Sequence, residues 1–333
     1  MKSEPPEPMP YFTVVIVNWN GGSYVQGALD SLGSQTFRDF EVFLVDNASS
    51  DGSVDKLDTA ALPHFTLMAQ DRNLGFAKGN NVAAKAGSGD WLVLLNPDAE
   101  AATDWLQTLR DAILANPGTH MFASAQYNLL QPEELDGVGD CYLGFGFPWR
   151  GGFGHPASSL PGPGECFSPC GAGAVYHRGT FLAHDGFDER FFCFCEDVDI
   201  GYRLRLAGEK CLFLPNAIIH HAGGGLAGRR SPFADYHGMR NRLWCYAKNT
   251  PGLLLIATLP FHVAITAALL IRNAVGGRFA ASWKGLWDGI LGLRSVRRGK
   301  RFSPPVRVVT LSRLCRAMAW NPLLFLKRQP DVK

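Results

Sequence analysis

The ten residues Trp91–Glu100, WLVLLNPDAE, constrain this chain more than any other stretch. Trp91 to Leu95 is too short for a helix and shows no alternation of polar and apolar residues. It is therefore expected as a strand buried on both faces. Pro97 cannot donate to a ladder, so the strand stops there. Asp98 is thereby expected at the carboxyl edge of a buried sheet, where open α/β sheets take their ligands. Alone, such an Asp reads equally well as a turn residue or a helix N-cap.

Three more apolar runs end in the same manner. Thr13–Val17 leads into Asn18-Trp19-Asn20-Gly21-Gly22, with Ser23 as the expected N-cap of a helix through Val25, Ala28, Leu29 and Leu32. Glu41–Val45 leads into Asp46-Asn47-Ala48-Ser49. Phe65–Met68, a weaker strand, precedes Arg72-Asn73-Leu74-Gly75-Phe76-Ala77-Lys78 and a short alanine-rich helix. Asp104–Ala115 has the pattern of an amphipathic helix. Strands alternating with helices imply right-handed crossovers, hence an α/β fold with a Rossmann-like, mostly parallel sheet. Asn18, Asp46, Arg72 with Asn73, and Asp98 should then gather along one sheet edge. An Asp there accepts from a base or a ribose hydroxyl, and an Arg neutralises phosphate. A further Asp holds a hard divalent ion that bridges phosphate oxygens. Together they describe a nucleotide-diphosphate site. No GxxxxGK[ST] occurs, which excludes a P-loop, and no GxGxxG follows the first strand, which argues against a dinucleotide-binding domain.

The chain's 333 residues leave room for one large or two ordinary domains. A net charge of +2 gives no nucleic-acid footprint. Eight cysteines without a small-domain framework read as reduced thiols of the cytosol. Residues 1–10 lack an apolar core and are expected as a tail, not a signal peptide.

Asp136–Gly164 is rich in Gly, Pro and aromatics. It is expected as an acceptor-side loop or lid, with a surface insertion as the equal alternative. Cys170–Tyr176 is expected as a strand. Glu196, Asp197 and Asp199 crowd three carboxylates into four residues ahead of an amphipathic helix. From the residues alone, helix-start acids favoured by the macrodipole are preferred over a tuned general base. Cys211–Leu214 is a strand ahead of His220 and His221, either of which reads as a packed side chain or a metal ligand. A helix through Arg242 and Trp244 reaches about Lys248. Leu253–Ile271 is uncharged and just long enough to span a bilayer. Both its flanks are basic, against the positive-inside tendency. An in-plane or re-entrant helix pair is therefore expected on the inner leaflet. Trp283, Leu286, Trp287, Ile290, Leu291 and Leu293 would supply its apolar face, and Arg294, Arg297, Arg298, Lys300 and Arg301 would meet anionic lipid. A buried core helix with a homodimer interface is the alternative.

VVIVNWNGG, VDNASSDGS, NLGFAKGNN and LLNPDAE together resemble the family 2 glycosyltransferases of GT-A fold. The bacterial rhamnosyltransferase-like branch, which builds cell-surface polysaccharide, is nearest. The resemblance implies that Asp46 contacts the base or ribose. Asn18, Asn20, Asn47, Arg72, Asn73, Gly75, Lys78 and Asn96 then complete the donor side. The family's DxD reads Asn96-Pro97-Asp98 here, so Asp98 alone carries the metal carboxylate. One carboxylate suffices for Mg²⁺ or Mn²⁺ only when substrate phosphates add ligands. GFDERFF followed by Glu196-Asp197 matches the acceptor block, which implies Asp197 as the base with Glu196 as alternative or support. Asp199 would support the helix start. The His that ends this block lies near the metal, and counting from Pro215 selects His221 over His220. No QxxRW precedes Trp244, so one sugar is expected rather than a polymer.

The resulting expectation is an inverting, metal-dependent glycosyltransferase on the cytoplasmic face of the inner membrane. It would move one sugar, rhamnose being the guess, from a nucleotide-diphospho-sugar to a glycan or polyprenyl-linked acceptor. A catalytically silent nucleotide-sugar or glycan-binding subunit is the competing class. Residues 11–235 would form the catalytic domain, with the nucleotide-sugar half at 11–117 and the acceptor half at 118–235. Residues 236–333 would form a helical, membrane-associated region.

Overall fold

The computed structural model describes residues 10–223, 231–298 and 308–333. The expected tail, apart from Pro10, lies outside the described residues, as do Lys300, Arg301 and the side chain of Arg298. In chain order the elements are β1 (Phe12–Asn18), α1 (Tyr24–Gly33), β2 (Phe40–Asp46), β3 (Phe65–Ala69), α2 (Gly75–Ala86), β4 (Trp91–Leu94), β5 (Ala99–Ala101) and α3 (Trp105–Ala115). There follow β6 (Met121–Asn128), β7 (Leu135–Gly137), β8 (Asp140–Leu143), β9 (Phe147–Arg150), β10 (Gly164–Cys166), β11 (Ala174–His177), α4 (Arg178–Ala183), α5 (Glu196–Leu206) and β12 (Cys211–His221). Five helices end the chain: α6 (Pro232–Asn249), α7 (Gly252–Val275), α8 (Phe279–Arg298), α9 (Leu311–Ala317) and α10 (Pro322–Leu326).

β1 and β4 are built from aromatic and branched aliphatic residues, which favour the pleated backbone, and are buried along their whole length. The main sheet runs β10-β12-β6-β11-β4-β1-β2-β3, with β5 on β12 and β7 on β6. β4, β1, β2 and β3 pair in parallel, as do β12 and β6. β11 and β10 join antiparallel. Register sets the functional edge, because Asn18 lies opposite Asp46 and Asp46 opposite Ala69. One face is covered by α1 and α3 through Val25, Leu29, Trp105 and Leu106. The other is covered through Ala83, Phe181, Phe187, Ile200 and Leu204. Each such large side chain contributes roughly 1.5–3 kcal/mol on burial. The α/β fold with a mostly parallel sheet is thus as the sequence implies.

Several local expectations fail for identifiable reasons. Ser23 makes no capping bond and already has helical backbone angles. Tyr24 N instead donates to Gly21 O at 3.2 Å. Cys170–Tyr176 is a strand only from Ala174, because Gly171–Gly173 form a single 3-10 turn. The turn brings the chain against β12, where a Cβ on Gly173 would lie 2.7 Å from Ile219 Cδ1. β12 does not stop at Leu214 but runs on to His221, absorbing Pro215 in an irregularity between Leu214 and Ile218. Asp136–Gly164 is no lid. It holds the β8–β9 hairpin, and its aromatics Tyr142 and Phe147 are fully buried. Tyr142 stacks on Phe167 and meets Tyr202 edge-on. This hairpin shares two apolar clusters with α5 and the C-terminal helices, including Trp244, Leu254, Leu269 and Met318.

α7 reverses the usual pattern of a water-exposed helix. Its buried residues include the polar Thr258, His262, Thr266 and Asn273. Its exposed residues include Leu253, Ile256, Leu259, Phe261, Val263 and Ile271. It is long and apolar enough to cross a membrane by length and composition. On α8, Trp283, Trp287, Ile290 and Leu291 are exposed as expected, but Leu286 and Leu293, expected on the same face, are half-buried against the apolar clusters under the helix.

Candidate functional site

The carboxyl edge of the parallel strands is tied together by short polar residues. Asn18 is buried, and its Nδ2 donates to Asp46 Oδ1 at 2.9 Å and to the Ser49 and Ser53 hydroxyls at 3.0 Å. Asp46 also accepts from Ser49 Oγ at 2.6 Å and Ser49 N at 3.1 Å. Asn20 adopts a left-handed backbone (φ 53°), and its Oδ1 accepts from Ser50 N at 2.8 Å. These contacts hold the β1 and β2 turns as one rim. Asn47 Nδ2 reaches Gly75 O at 3.3 Å, linking the rim to the start of α2. Asn73 Oδ1 accepts from Gly75 N at 2.8 Å. Gly75 needs to be glycine, since its φ is +78° and a Cβ would meet Phe192 O at 2.6 Å. Arg72 is exposed and Lys78 is half-buried.

Asp98 and His221 meet although 123 positions separate them in sequence. Antiparallel pairing of β5 with β12 sets His221 opposite Ala99. His221 Nε2 lies 3.2 Å from Asp98 Oδ1 and 3.1 Å from Asn96 Nδ2. On the other ring nitrogen, Nδ1 lies 2.7 Å from Asp136 Oδ2. Burial disfavours a proton on the ring. The hydrogen bonds to Asp136 and Asp98 outweigh that and hold the imidazole pKa above its usual value. A carboxylate behind one nitrogen fixes the other toward a ligand, the arrangement common behind metal-bound histidines. Carboxylate, imidazole and amide donors suit a divalent ion such as Mn²⁺ or Mg²⁺, which must compete with the proton on His221. His220 lies opposite Glu100 and packs near Tyr127, so it is outside this cluster.

The acid block lies across the cleft. Phe192, Phe194 and Cys195 all have positive φ, at 67°, 72° and 66°. Such backbone is costly for non-glycine residues, and α6 holds it in place. Asn241 Nδ2 donates to the carbonyls of Phe191, Cys193 and Phe194 at 2.9, 2.8 and 2.7 Å. Phe192 O in turn accepts from Ala77 N at 3.1 Å, coupling this loop to α2. The loop delivers Glu196 and Asp197 to the first turn of α5. Glu196 is buried, its Oε2 has no hydrogen-bond partner, and burial followed by Asp197 pushes its pKa well up. Asp197 is only partly buried. It accepts from Gly171 N at 2.9 Å and Val198 N at 2.8 Å. Burial raises its pKa too, less steeply because those amides and Arg150 favour the charge.

Asp197 and Asn96 line one cavity of about 420 Å³, together with Trp149, Phe194, Arg242 and Arg272. Asn96 therefore borders both the Asp98–His221 pair and the Asp197 cavity. Asp140 and Cys170 also face it, their ligating atoms within 4.8 Å of each other and of Asp197. Burial, then the charge of Asp197, raises the Asp140 pKa strongly.

Asp199 lies in the first turn of α5, but its carboxylate is taken up by cations. It sits in a buried ion cluster, 2.9 Å from Arg203 Nε and 2.9 Å from Lys248 Nζ, and Lys248 also reaches Asp188 at 2.8 Å. Sequence reasoning overlooked Asp136, Asp140, Lys248 and Asn241. Asp136 and Asp140 fell in a stretch taken for a loop. Lys248 carried one faint signal, as a charge in the last turn of an otherwise apolar helix end.

The model of the family described as Glycosyl transferase family 2 matches residues 13–138. An N-acetylglucosaminyl-diphospho-decaprenol L-rhamnosyltransferase of Mycobacterium tuberculosis is 28% identical over 235 residues, 62% of this chain and 75% of that protein. S. aureus TarS 1-349, solved in complex with UDP-GlcNAc, superposes with a TM-score of 0.56 at 17% identity, over 86% of this chain and 82% of that one. The mannosyltransferase PcManGT of Pyrobaculum calidifontis, solved with GDP-Man and Mn²⁺, gives 0.52 at 18% identity over 88% of each chain. The solved structures share the GT-A fold with this chain.

Proposed function

This chain is a family 2 glycosyltransferase of GT-A fold, similar to rhamnosyltransferases, and from that premise we propose that it inverts a sugar's anomeric centre while moving one residue to a lipid-linked glycan. The donor is a nucleotide-diphospho-sugar, with a deoxyhexose such as rhamnose as the favoured sugar. The observation that carries this reading is the place of Asn96, which borders His221 and the Asp197 cavity at once. A donor seated on the Asp46 rim with its diphosphate at Asp98 thereby presents its anomeric carbon toward Asp197.

Asn18, Asp46 and Asn47 hold the base and ribose end on a pre-organised rim. Asp98 and His221 would hold a divalent cation, which supplies Lewis-acid stabilisation of the leaving diphosphate. Asp136 orients His221 for that task. Asp197 takes the proton of the acceptor hydroxyl as its oxygen attacks from the face opposite the diphosphate. One displacement with one base inverts the centre, so no second carboxylate nucleophile is required. Burial raises Glu196 more than Asp197, whose charge two backbone amides and Arg150 favour, so Asp197 is the member of the pair that ionises first.

The relative's acceptor, by its name a diphospho-decaprenol glycan, supports a polyprenyl-linked acceptor here. The outward apolar faces of α7 and α8 support in-plane seating on the cytoplasmic face of the inner membrane. The direct test offers UDP-, GDP- and dTDP-sugars with Mg²⁺ or Mn²⁺ and an N-acetylglucosaminyl diphospholipid. Transfer of a single sugar with inverted configuration is expected. No transfer from any donor, or a polymeric product, would overturn the proposal.

A further inference from the structure

The cavity that contains Asp197 has a basic side that the reaction as described leaves unused. Arg242 and Arg272 line it together with Trp149 and Phe194. Its volume, about 420 Å³, lies in the range of small-ligand sites.

Arg242 stands apart from the buried and half-buried guanidinium groups around it. Arg150 pairs with Asp136, Arg190 with Asp188, Arg203 with Asp199 and Arg205 with Glu165. Arg242 pairs with no carboxylate among the described residues. Its guanidinium lies over the Phe147 ring at 4.6 Å and donates to Met239 Sδ at 2.7 Å, a weak acceptor. Its Nε is buried with no hydrogen-bond partner. Burial and the neighbouring Arg272 together draw its pKa down to about 10. Asp235 faces the same cavity but is held by Arg278 at 2.7 Å. Asp140, Glu196 and Asp197 line the cavity as well, yet among the described residues none of them pairs with Arg242 or Arg272. Arg272 is exposed and Arg242 half-buried, but a buried Nε such as that of Arg242 is costly to leave without a partner.

We propose that Arg242 and Arg272 form an anion subsite that grips the diphosphate of the lipid-linked acceptor while its sugar hydroxyl reaches Asp197. The inference rests on the glycosyltransferase reading and adds the acceptor's charged handle to it. Guanidinium forks match phosphate oxygens in pairs, which a neutral glycan does not offer. Arg272 belongs to α7, whose outer face is apolar at Leu259, Val263 and Ile271. A prenyl tail leaving a diphosphate at Arg272 would run onto that face. Trp149 and Phe194 give the intervening sugar flat apolar walls.

The test compares full-length wild type with Arg242→Gln, Arg242→Lys and Arg272→Gln on two acceptors that carry the same sugar. One bears a prenyl diphosphate and the other a neutral alkyl group. The preference for the diphosphate acceptor, as a ratio of kcat/KM values, should fall at least tenfold in each Gln variant, with KM carrying the loss. Arg242→Lys should restore part of it. A merely structural role would lower both acceptors alike, and an unchanged ratio overturns the proposal. Sedimentation with phosphatidylglycerol vesicles separates the other source of phosphate. Lost vesicle binding with an unchanged ratio would assign the arginines to lipid headgroups and sink the subsite. If wild type transfers sugar to neither acceptor, the functional reading fails, and the subsite is then judged by binding. The probe is farnesyl diphosphate, with UDP and Mg²⁺ present to fill the donor side. A Kd at least tenfold weaker in Arg242→Gln supports it, and an equal Kd refutes it. Should Arg242→Gln fail to fold, Arg272→Gln, on an exposed position, decides the matter.

Discussion

Replacing Lys248 by Met should destabilise the protein in a manner that depends on pH with a particular sign. Lys248, Asp188 and Asp199 have fully buried side chains, and the ammonium bridges both carboxylates. Asp199 is also held by Arg203 and by Asn249 at 2.8 Å. Burial works to raise its pKa, but Lys248 and then Arg203 overcome that and bring it from 3.8 to about 2. A shift just under two units is worth about 2.5 kcal/mol. That stabilisation is complete above the unfolded value near 3.8 and is lost as the pH falls toward about 2. In Lys248→Met the Asp199 carboxyl loses its largest favourable charge and keeps Arg203 and Asn249, so its pKa rises from about 2. Breaking a buried pair in this way costs roughly 3–5 kcal/mol, which in a chain of 333 residues lowers Tm by about 4–7 °C. The lost stabilisation belongs to the ionised carboxylate, so the variant's deficit should be full at neutral pH and shrink as the pH falls below about 4 toward 2. Paired thermal melts of wild type and variant across that range read this directly. A deficit that stays constant or widens on acidification would refute the reasoning. The cluster matters for function because it fastens α5, which carries Asp197, to α6, which supports the loop ahead of it.

Two further predictions concern the site. Asp136→Asn removes the charge behind His221 and leaves the ring's tautomer unfixed, so the Mn²⁺ concentration for half-maximal activity should rise about 10–100-fold. An unchanged metal midpoint would show that Asp136 has no part in ligand orientation. The acid limb of kcat/KM should lie above the ordinary carboxylate range, because burial raises Asp197 and the base works only when ionised. Activity is then lost as pH falls through that raised value, and a limb near or below the usual Asp value would contradict the role.

Much of the sheet's carboxyl edge was legible from sequence because it rests on short-range rules. An apolar run that ends in Asn, Asp or Pro specifies a buried strand and its carboxyl end, and register in a parallel sheet aligns those ends. Asn18, Asp46 and Asp98 followed from that, and the family resemblance brought in His221. What escaped depends on partners far apart in the chain. Asp136 is recognisable as a support only once β7 pairs with β6 and sets it beside His221. The aromatics of β8 and β9 looked like those of a mobile loop, since only tertiary packing against Phe167 and Tyr202 marks them as core. Three carboxylates in four residues separate into three environments, with Glu196 buried without a partner for Oε2, Asp197 at a cavity and Asp199 among cations. Nothing in EDVD distinguishes them before α6 is in place.

The central claim is that Asp197 removes the acceptor proton. Its most direct test is single-turnover transfer by Asp197→Asn alongside donor binding measured by calorimetry. The account predicts a loss of about 10²–10⁴-fold in the transfer rate, with donor affinity essentially that of wild type. Retained transfer, or donor binding lost together with transfer, would contradict it.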